Sequence, residues 1–276
     1  MQFENHLITE RFSDHIQAIF HYKGYSPEHR IERVVPTGHL FIIFELDGIT
    51  RNTFDNQTLE PNGSYRHVWI SGMHKEHISI STHEDSEMLV IQFKTSGTYP
   101  FFKSSIDQLT NKITPAQEVF GDQILQLRSD ILNASDTLGK FELVDSWLQQ
   151  QYDPKKSPPE ELKKVLTQLE LKPISDGHSI IESYPNSQKH LINQFKMYFG
   201  LTPKTFHRIF RFNSILRQIQ NKDMLSWSQI AYEFGYADQS HFIKEFKAFS
   251  GFNPQQYLKK DYHKGETNFF PIDDQG

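Results

Sequence analysis

The first third of the chain alternates short apolar runs with turn signals, a pattern typical of β-strands. Residues 39–48 form an apolar run that closes on an Asp-Gly turn, and residues 64–72 end in a glycine. Residues 77–82 alternate isoleucine with polar residues, and residues 87–93 are apolar again. Several short strands at such spacing predict a barrel or a sandwich. We therefore expect residues 16–93 to be mostly β-strand.

After Thr98 the apolar spacing becomes that of amphipathic helices. Residues 118–132 and residues 138–151 each place apolar side chains three or four positions apart, which predicts an antiparallel helical pair. The proline-rich segment 153–159 cannot continue either helix and predicts a linker. The expected organisation is a β-rich domain with its helical pair, a linker, a helical domain and a tail, at residues 1–152, 153–159, 160–262 and 263–276.

The helical C-terminal half contains an internal repeat. Residues 188–203 align with residues 239–254, and seven of sixteen positions are identical. A repeat of this kind indicates a duplicated supersecondary unit. In the second copy Ser226 and Asp238 suit helix N-caps, and Gly235 between them suits the positive φ of a tight turn. The pattern predicts two helix-turn-helix units.

Charge and helix length both favour DNA as the partner of this repeat. Residues 173–264 carry 12 basic and 7 acidic side chains, whereas residues 1–172 carry 17 basic and 24 acidic ones. Residues 202–222 predict one connecting helix, and about twenty helical residues span about 30 Å. This length is close to the roughly 34 Å between successive major-groove faces of B-DNA.

Composition narrows the function classes further. The chain has no cysteine, which excludes disulfides, thiolate zinc sites and a cysteine nucleophile. It lacks the phosphate-loop, dinucleotide, hydrolase-elbow and zincin motifs, so we expect no enzymatic activity and no cofactor. His74, His77 and His83 form the densest of its histidine groups, for which surface or hydrogen-bonded roles are favoured over a metal site. No signal peptide or membrane-spanning run is visible, so a cytoplasmic protein without a membrane partner is expected.

Residues 226–260 resemble the signature of the AraC/XylS family of bacterial transcription regulators. The matching positions are Ala231, Gly235, Tyr236, the run 238–242, Phe246, Lys247, Gly251 and Pro254. The resemblance implies seven helices, a double helix-turn-helix and sequence-specific binding to the major groove of double-stranded DNA.

The resemblance also implies which side chains meet DNA. In each helix-turn-helix unit we call the helix that would enter the major groove the reading helix. For the reading helix of the second unit the resemblance implies contacts by Gln239, Ser240, His241, Ile243 and Lys244. For that of the first unit it implies Lys189, Ile192 and Asn193, with Gln188 near the phosphates, and for the connecting helix it implies Arg211. The family commonly has larger polar residues where Ile192 and Ile243 stand. Two roles stay open for these isoleucines, contact with thymine methyl groups and packing.

Residues 33–48, 69–72 and 90–102 resemble an effector domain of some of these regulators. This resemblance implies a multi-domain α+β protein, with a cupin-like β-rich domain and a helical pair before an all-α double helix-turn-helix. The front domain would bind an unidentified small-molecule effector or pair subunits into a homodimer, and RNA polymerase is a further expected partner. Its aromatic residues favour a core over a pocket. Two alternatives stay open: a front domain that only dimerises, and an enzyme or small-molecule-binding protein with a metal-holding barrel and a helical partner-binding module.

Overall fold

The computed structural model describes residues 1–174, 177–219, 226–259 and 268–272. These residues form a β-rich N-terminal module and a helical C-terminal module, as the sequence predicts. Buried side chains of both modules belong to one continuous apolar cluster, in which Phe102 of the first and Phe195 of the second are almost fully buried.

Two antiparallel sheets make up the N-terminal module. The strands are β1 Gln2–Asn5, β2 Ile16–Tyr25, β3 Ile31–Val34, β4 Leu40–Glu45, β5 Arg51–Phe54, β6 Pro61–Tyr65, β7 Val68–Ser71, β8 Ile78–Ser81, β9 Ser86–Phe93, β10 Ile113–Pro115 and β11 Phe269–Pro271. The six-stranded sheet has the order β1-β2-β9-β4-β7-β10, and the five-stranded sheet has the order β11-β3-β8-β5-β6. The four strands expected within residues 39–93 correspond to β4, β7, β8 and β9.

The helices follow the predicted order with one correction. They are α1 Ala116–Phe120, α2 Gln123–Asn133, α3 Thr137–Gln151, α4 Glu160–Leu171, α5 Gly177–Glu182, α6 Gln188–Phe199, α7 Pro203–Ile219, α8 Trp227–Glu233, α9 Gln239–Ser250 and α10 Pro254–Leu258. The single helix expected over residues 118–132 is wrong, because Gly121 takes a φ of 72° and separates α1 from α2. The expected pairing of α2 with α3 is confirmed.

The end of the chain returns to the N-terminal module. Strand β11 lies in the predicted tail 263–276 and pairs antiparallel with β3, from Phe269 opposite Val34 to Pro271 opposite Glu32. The predicted domain end at residue 262 lies outside the described residues. A 3₁₀ turn at Pro154–Lys156 lies within the predicted linker.

Candidate nucleic-acid interface and ligand cavity

The second helix-turn-helix unit is built by the residues that the sequence singles out. The Ser226 hydroxyl accepts a hydrogen bond from the backbone N–H of Gln229 at 3.4 Å and so caps α8. Gly235 has a φ of 72°, a conformation that only glycine adopts without steric cost. Asp238 caps α9 by accepting from the backbone N–H of His241 at 2.7 Å. The predicted caps and turn are therefore confirmed.

In the first unit the reading helix begins and ends as it does in the second unit, but the turn before it is built differently. Ser187 caps α6 by accepting from the backbone N–H of His190 at 3.2 Å. Gly200 ends α6 as Gly251 ends α9, each in the left-handed conformation. No glycine lies between α5 and α6, where the ring of Tyr184 stacks on His190 with centroids 6.1 Å apart. The sequence repeat is therefore a structural repeat whose two turns differ.

The first turns of both reading helices face solvent. The exposed members of the predicted set are Gln188, Lys189, Ile192, Asn193, Gln239, Ser240, His241 and Lys244. The opposite sides of the two helices bury leucine and phenylalanine, as amphipathic helices do. Ile243 is half-buried and packs against the core, whereas Ile192 is exposed. The two isoleucines left open by the sequence therefore have different environments.

Arg211 has a different environment, because it belongs to a buried polar cluster. Its Nη2 donates to Glu245 Oε1 at 2.7 Å, and Arg208 Nε donates to Glu245 Oε2 at 2.7 Å. The Tyr236 hydroxyl donates to Glu245 Oε1 at 2.8 Å, and the Arg211 guanidinium lies 4.2 Å from the Tyr236 ring centroid. Burial alone would raise the pKa of Glu245, but hydrogen bonds from Arg211 and Arg208 outweigh it and lower that pKa.

This cluster joins the connecting helix α7 to the second reading helix α9. Sequence reasoning missed Glu245, although it stands among the apolar positions of α9, where a lone acid predicts a buried partner. The Arg211 side chain is thus engaged with protein, and its contact with DNA stays a prediction.

The N-terminal module encloses a largely apolar cavity of about 220 Å³ between its two sheets. Phe41 and Trp69 line it, whereas Phe44 and Phe93 lie in the core. The expected core role is confirmed for Trp69 as well, since it forms a smaller buried cluster with Ile43 and Val90, against which the partly buried Phe41 packs. Phe41 and Trp69 alternate along their strands with residues of the larger core and so point to the other face of the sheet.

Arg51 is the buried cationic group of the cavity wall. Its Nη2 lies 2.6 Å from Asp47 Oδ2, 3.1 Å from Glu45 Oε2 and 3.1 Å from the Ser86 hydroxyl. Its Nη1 is buried and makes no hydrogen bond to any residue in the described ranges. Trp69 Nε1 donates to Glu45 Oε1 at 2.9 Å, and burial raises the pKa of Glu45 to about 7.

The histidines of the predicted densest group take separate roles. His74 Nε2 lies 3.0 Å from the Ser71 hydroxyl, and His83 Nε2 lies 2.9 Å from the Ser81 hydroxyl. In the described part of the chain no three histidine, aspartate or glutamate side chains are grouped to hold a metal ion. Within the same ranges no helix is long and apolar enough to cross a membrane.

Comparison with protein families agrees with this geometry. Residues 185–260 match the family model described as a helix-turn-helix domain. The C-terminal module is an AraC-type helix-turn-helix domain. Residues 9–115, which contain most of the two sheets that precede this AraC-type domain, match a domain of unknown function, DUF6597.

Solved structures of ToxT from Vibrio cholerae are similar to this chain over most of its length. An apo variant is 13% identical, covering 87% of this chain and 96% of its own, with a TM-score of 0.45. A ToxT crystal form at 1.65 Å is 15% identical, covering 87% and 97%, with a TM-score of 0.43. ToxT bound to an unsaturated fatty acid is 13% identical, covering 88% and 96%, with a TM-score of 0.44. Likenesses this distant carry no argument about function, and no curated protein sequence matches this chain.

Proposed function

We propose that this protein is a sequence-specific DNA-binding transcription regulator whose two helix-turn-helix units read successive major-groove faces. The observation that carries this proposal is the duplication of a capped reading helix with an exposed first turn. In each copy the exposed residues combine amide and ammonium groups. These groups hydrogen-bond to base edges and phosphates, and the N-terminal end of a recognition helix is the part that contacts bases.

The connecting helix supports simultaneous binding by both units. Helix α7 has 17 residues and rises about 26 Å along its axis. The first reading helix, α6, directly precedes α7, and the second, α9, follows it after α8, so α7 lies between the two reading helices along the chain. Gln239 suits a bidentate contact with adenine, and Lys244 suits guanine or phosphate.

Selection of bound sequences from a random DNA pool tests this function directly. We expect enrichment of sites with two half-sites about one helical turn apart. Affinity for the selected site should fall steeply between 50 and 200 mM salt, by about 10³-fold or more if six or more phosphates are contacted. Failure to enrich any sequence, or binding indifferent to salt, would reject the function.

We infer that the N-terminal cavity is where a small-molecule effector binds. The support is its apolar lining together with one buried guanidinium nitrogen without a hydrogen-bond partner in the described residues. A homodimer and contact with RNA polymerase remain further expectations for the complete regulator. Elemental analysis of the purified protein tests the metal-holding alternative, which predicts a stoichiometric metal.

A further inference from the structure

Strands β3 and β11 form a two-stranded ribbon at one edge of the five-stranded sheet. Phe269 lies opposite Val34, Phe270 opposite Arg33, and Pro271 opposite Glu32. Successive side chains of a strand point to opposite faces of the sheet. Each strand of this ribbon can therefore touch two different parts of the molecule.

One face of the ribbon forms part of the cavity wall. Glu32 and Val34 of β3 line the cavity, and Phe269 of β11 lines it beside them. The C-terminal segment of the chain thus completes a cavity that otherwise belongs to the N-terminal module.

The opposite face of the ribbon packs on the second helix-turn-helix unit. The Arg33 guanidinium lies 4.6 Å from the ring centroid of Phe252. Phe270 is fully buried, and its ring lies 4.8 Å from that of Tyr257 in α10. Arg33 and His77 also occupy the space beside Gly251, at the C-terminal end of the reading helix α9.

The mouth of the cavity lies between the two chain ends. Strands β1 and β11 are edge strands of their sheets. The exposed lining residues come from these ends, with exposed fractions of 72% for Met1, 50% for Phe3 and 39% for Phe269. The cavity lining therefore reaches solvent at β11 as well as at β1.

The charges around Arg51 select the class of occupant. Asp47 and Glu45 already contact this guanidinium, and Glu32 adds a third carboxyl group to the cavity surroundings. Because Asp47 already balances the guanidinium charge, an additional carboxylate would meet repulsion from Asp47 and Glu32. The Nη1 donor suits an uncharged oxygen, such as a carbonyl or hydroxyl, on an otherwise apolar molecule.

We propose that a neutral, largely apolar molecule with one hydrogen-bond-accepting oxygen occupies this cavity, and that the β3–β11 ribbon transmits its presence to the second helix-turn-helix unit. This inference rests on the proposed sensing function of the N-terminal module. The occupant touches Val34 and Phe269, and the next residues along the same strands, Arg33 and Phe270, hold α9 and α10. A shift of the ribbon therefore changes the support of the second reading helix and leaves the first unit on its separate contacts.

Hydrogen exchange of the full chain tests this inference, with the neutral fluorophore 6-propionyl-2-(dimethylamino)naphthalene as the probe, because its ketone supplies the hydrogen-bond-accepting oxygen. In the wild type, fluorescence should show saturable binding, and bound probe should change amide exchange in residues 239–258 more than in residues 188–199. Phe270→Ala should keep probe affinity within about threefold. Without probe it should speed exchange in α10 about tenfold, and it should abolish the probe-dependent change.

Phe269→Ala is the matched control, since it removes the same ring from the other face of the same strand. It should weaken probe binding and leave exchange in α10 without probe unchanged. Arg33→Gln provides a second route to the same result if Phe270→Ala folds poorly, because it removes the contact with Phe252 from the β3 side.

Three results would overturn the inference: no probe binding to the wild type, a probe-dependent change that persists in both Phe270→Ala and Arg33→Gln, or an equal change in both reading helices. None of them would affect selection of a DNA site, so failure of the inference is distinguishable from failure of the proposed DNA-binding function.

Discussion

Neighbouring side chains on α9 have opposite roles. Lys244 is exposed and Glu245 is buried, because consecutive residues on a helix point about 100° apart. The first is available to a partner, and the second holds Arg208 and Arg211 in place. Adjacent positions of α9 therefore differ in exposure, so that one side chain is available to a partner and the next supports α7.

Truncation of exposed reading residues should weaken specific DNA binding. Lys244→Ala and Gln239→Ala should each lower affinity for the selected site by roughly 1–3 kcal/mol, because the proposed function assigns each of these side chains a contact with a base edge. Lys155→Ala, in the segment between the modules, is the control and should change affinity little. Unchanged affinity of the first two variants in a footprinting titration would remove those residues from the interface.

Loss of the buried carboxylate should destabilise the AraC-type domain. Glu245→Ala leaves Arg208 and Arg211 without their anion and should lower the free energy of unfolding by about 2–3 kcal/mol. This is below the ~3–5 kcal/mol expected of a fully buried pair, because Arg208 is partly solvated. Glu160→Ala, which removes an exposed partner of Lys163, should cost less than about 1 kcal/mol. Equal urea midpoints for the two variants would contradict the supporting role of Glu245.

At the scale of elements, both reading helices end on a glycine that touches the N-terminal module. The Thr110 hydroxyl donates to the Gly200 carbonyl at 2.6 Å, and Met73 and Ile106 pack beside that glycine. Gly251 is covered by Arg33 of β3 and by His77, which directly precedes β8. The N-terminal module therefore contacts both helix-turn-helix units at the same position of the repeat, and the first turns of the two reading helices remain exposed.

Two glycine substitutions distinguish the stability cost of backbone strain from the cost of disturbing this contact between modules. Gly235→Ala and Gly251→Ala both place a side chain at positive φ, which costs about 1–2 kcal/mol in each case. At Gly235 the nearest atom to an added Cβ is 3.6 Å away, whereas at Gly251 the added Cβ collides with Arg33 and His77. Gly251→Ala should therefore lower the urea midpoint more. If Gly251→Ala lowered the urea midpoint less than Gly235→Ala does, the side chains of Arg33 and His77 would have to move aside without a loss of stability.

At the scale of the whole molecule, buried neutral histidines should make stability depend on pH. Burial lowers the pKa of His39 and of His74 to about 4, and burial together with the charge of Arg33 lowers the pKa of His77 to about 4. The unfolded chain binds these protons near pH 6.5, and the folded chain does so only near pH 4. Their contribution to stability is thus present above pH 6.5 and is lost as the pH falls toward 4.

Urea unfolding of the full chain checks this expectation. The midpoint should be lower at pH 5 than at pH 7, and the difference should be smaller in His77→Gln, which removes one of the three groups. Midpoints that agree at both pH values would mean that these histidines are not kept neutral by the fold.

Much of the architecture was predictable from local patterns. Short apolar or alternating runs between turn signals predicted β4, β7, β8 and β9, and the repeat with its caps predicted α8, α9 and the turn at Gly235, because these features depend on residues close in sequence. The break at Gly121 was missed because an apolar helical pattern continues across it. The exposed first turns followed from the same helical periodicity, which assigns polar residues to the side opposite the core.

The sequence by itself determined the second helix-turn-helix unit and the repetition of its reading helix, since caps, turn glycine and apolar spacing act within a few residues. Only the tertiary structure decided that Arg211 serves Glu245, that Phe41 and Trp69 line a cavity, and that Phe269–Pro271 joins a sheet begun more than two hundred residues earlier. The physical reason is that strand pairing and buried ion pairs depend on which distant segments meet. Which distant segments come into contact depends on the packing of the whole chain, and it produces no periodic pattern in the sequence.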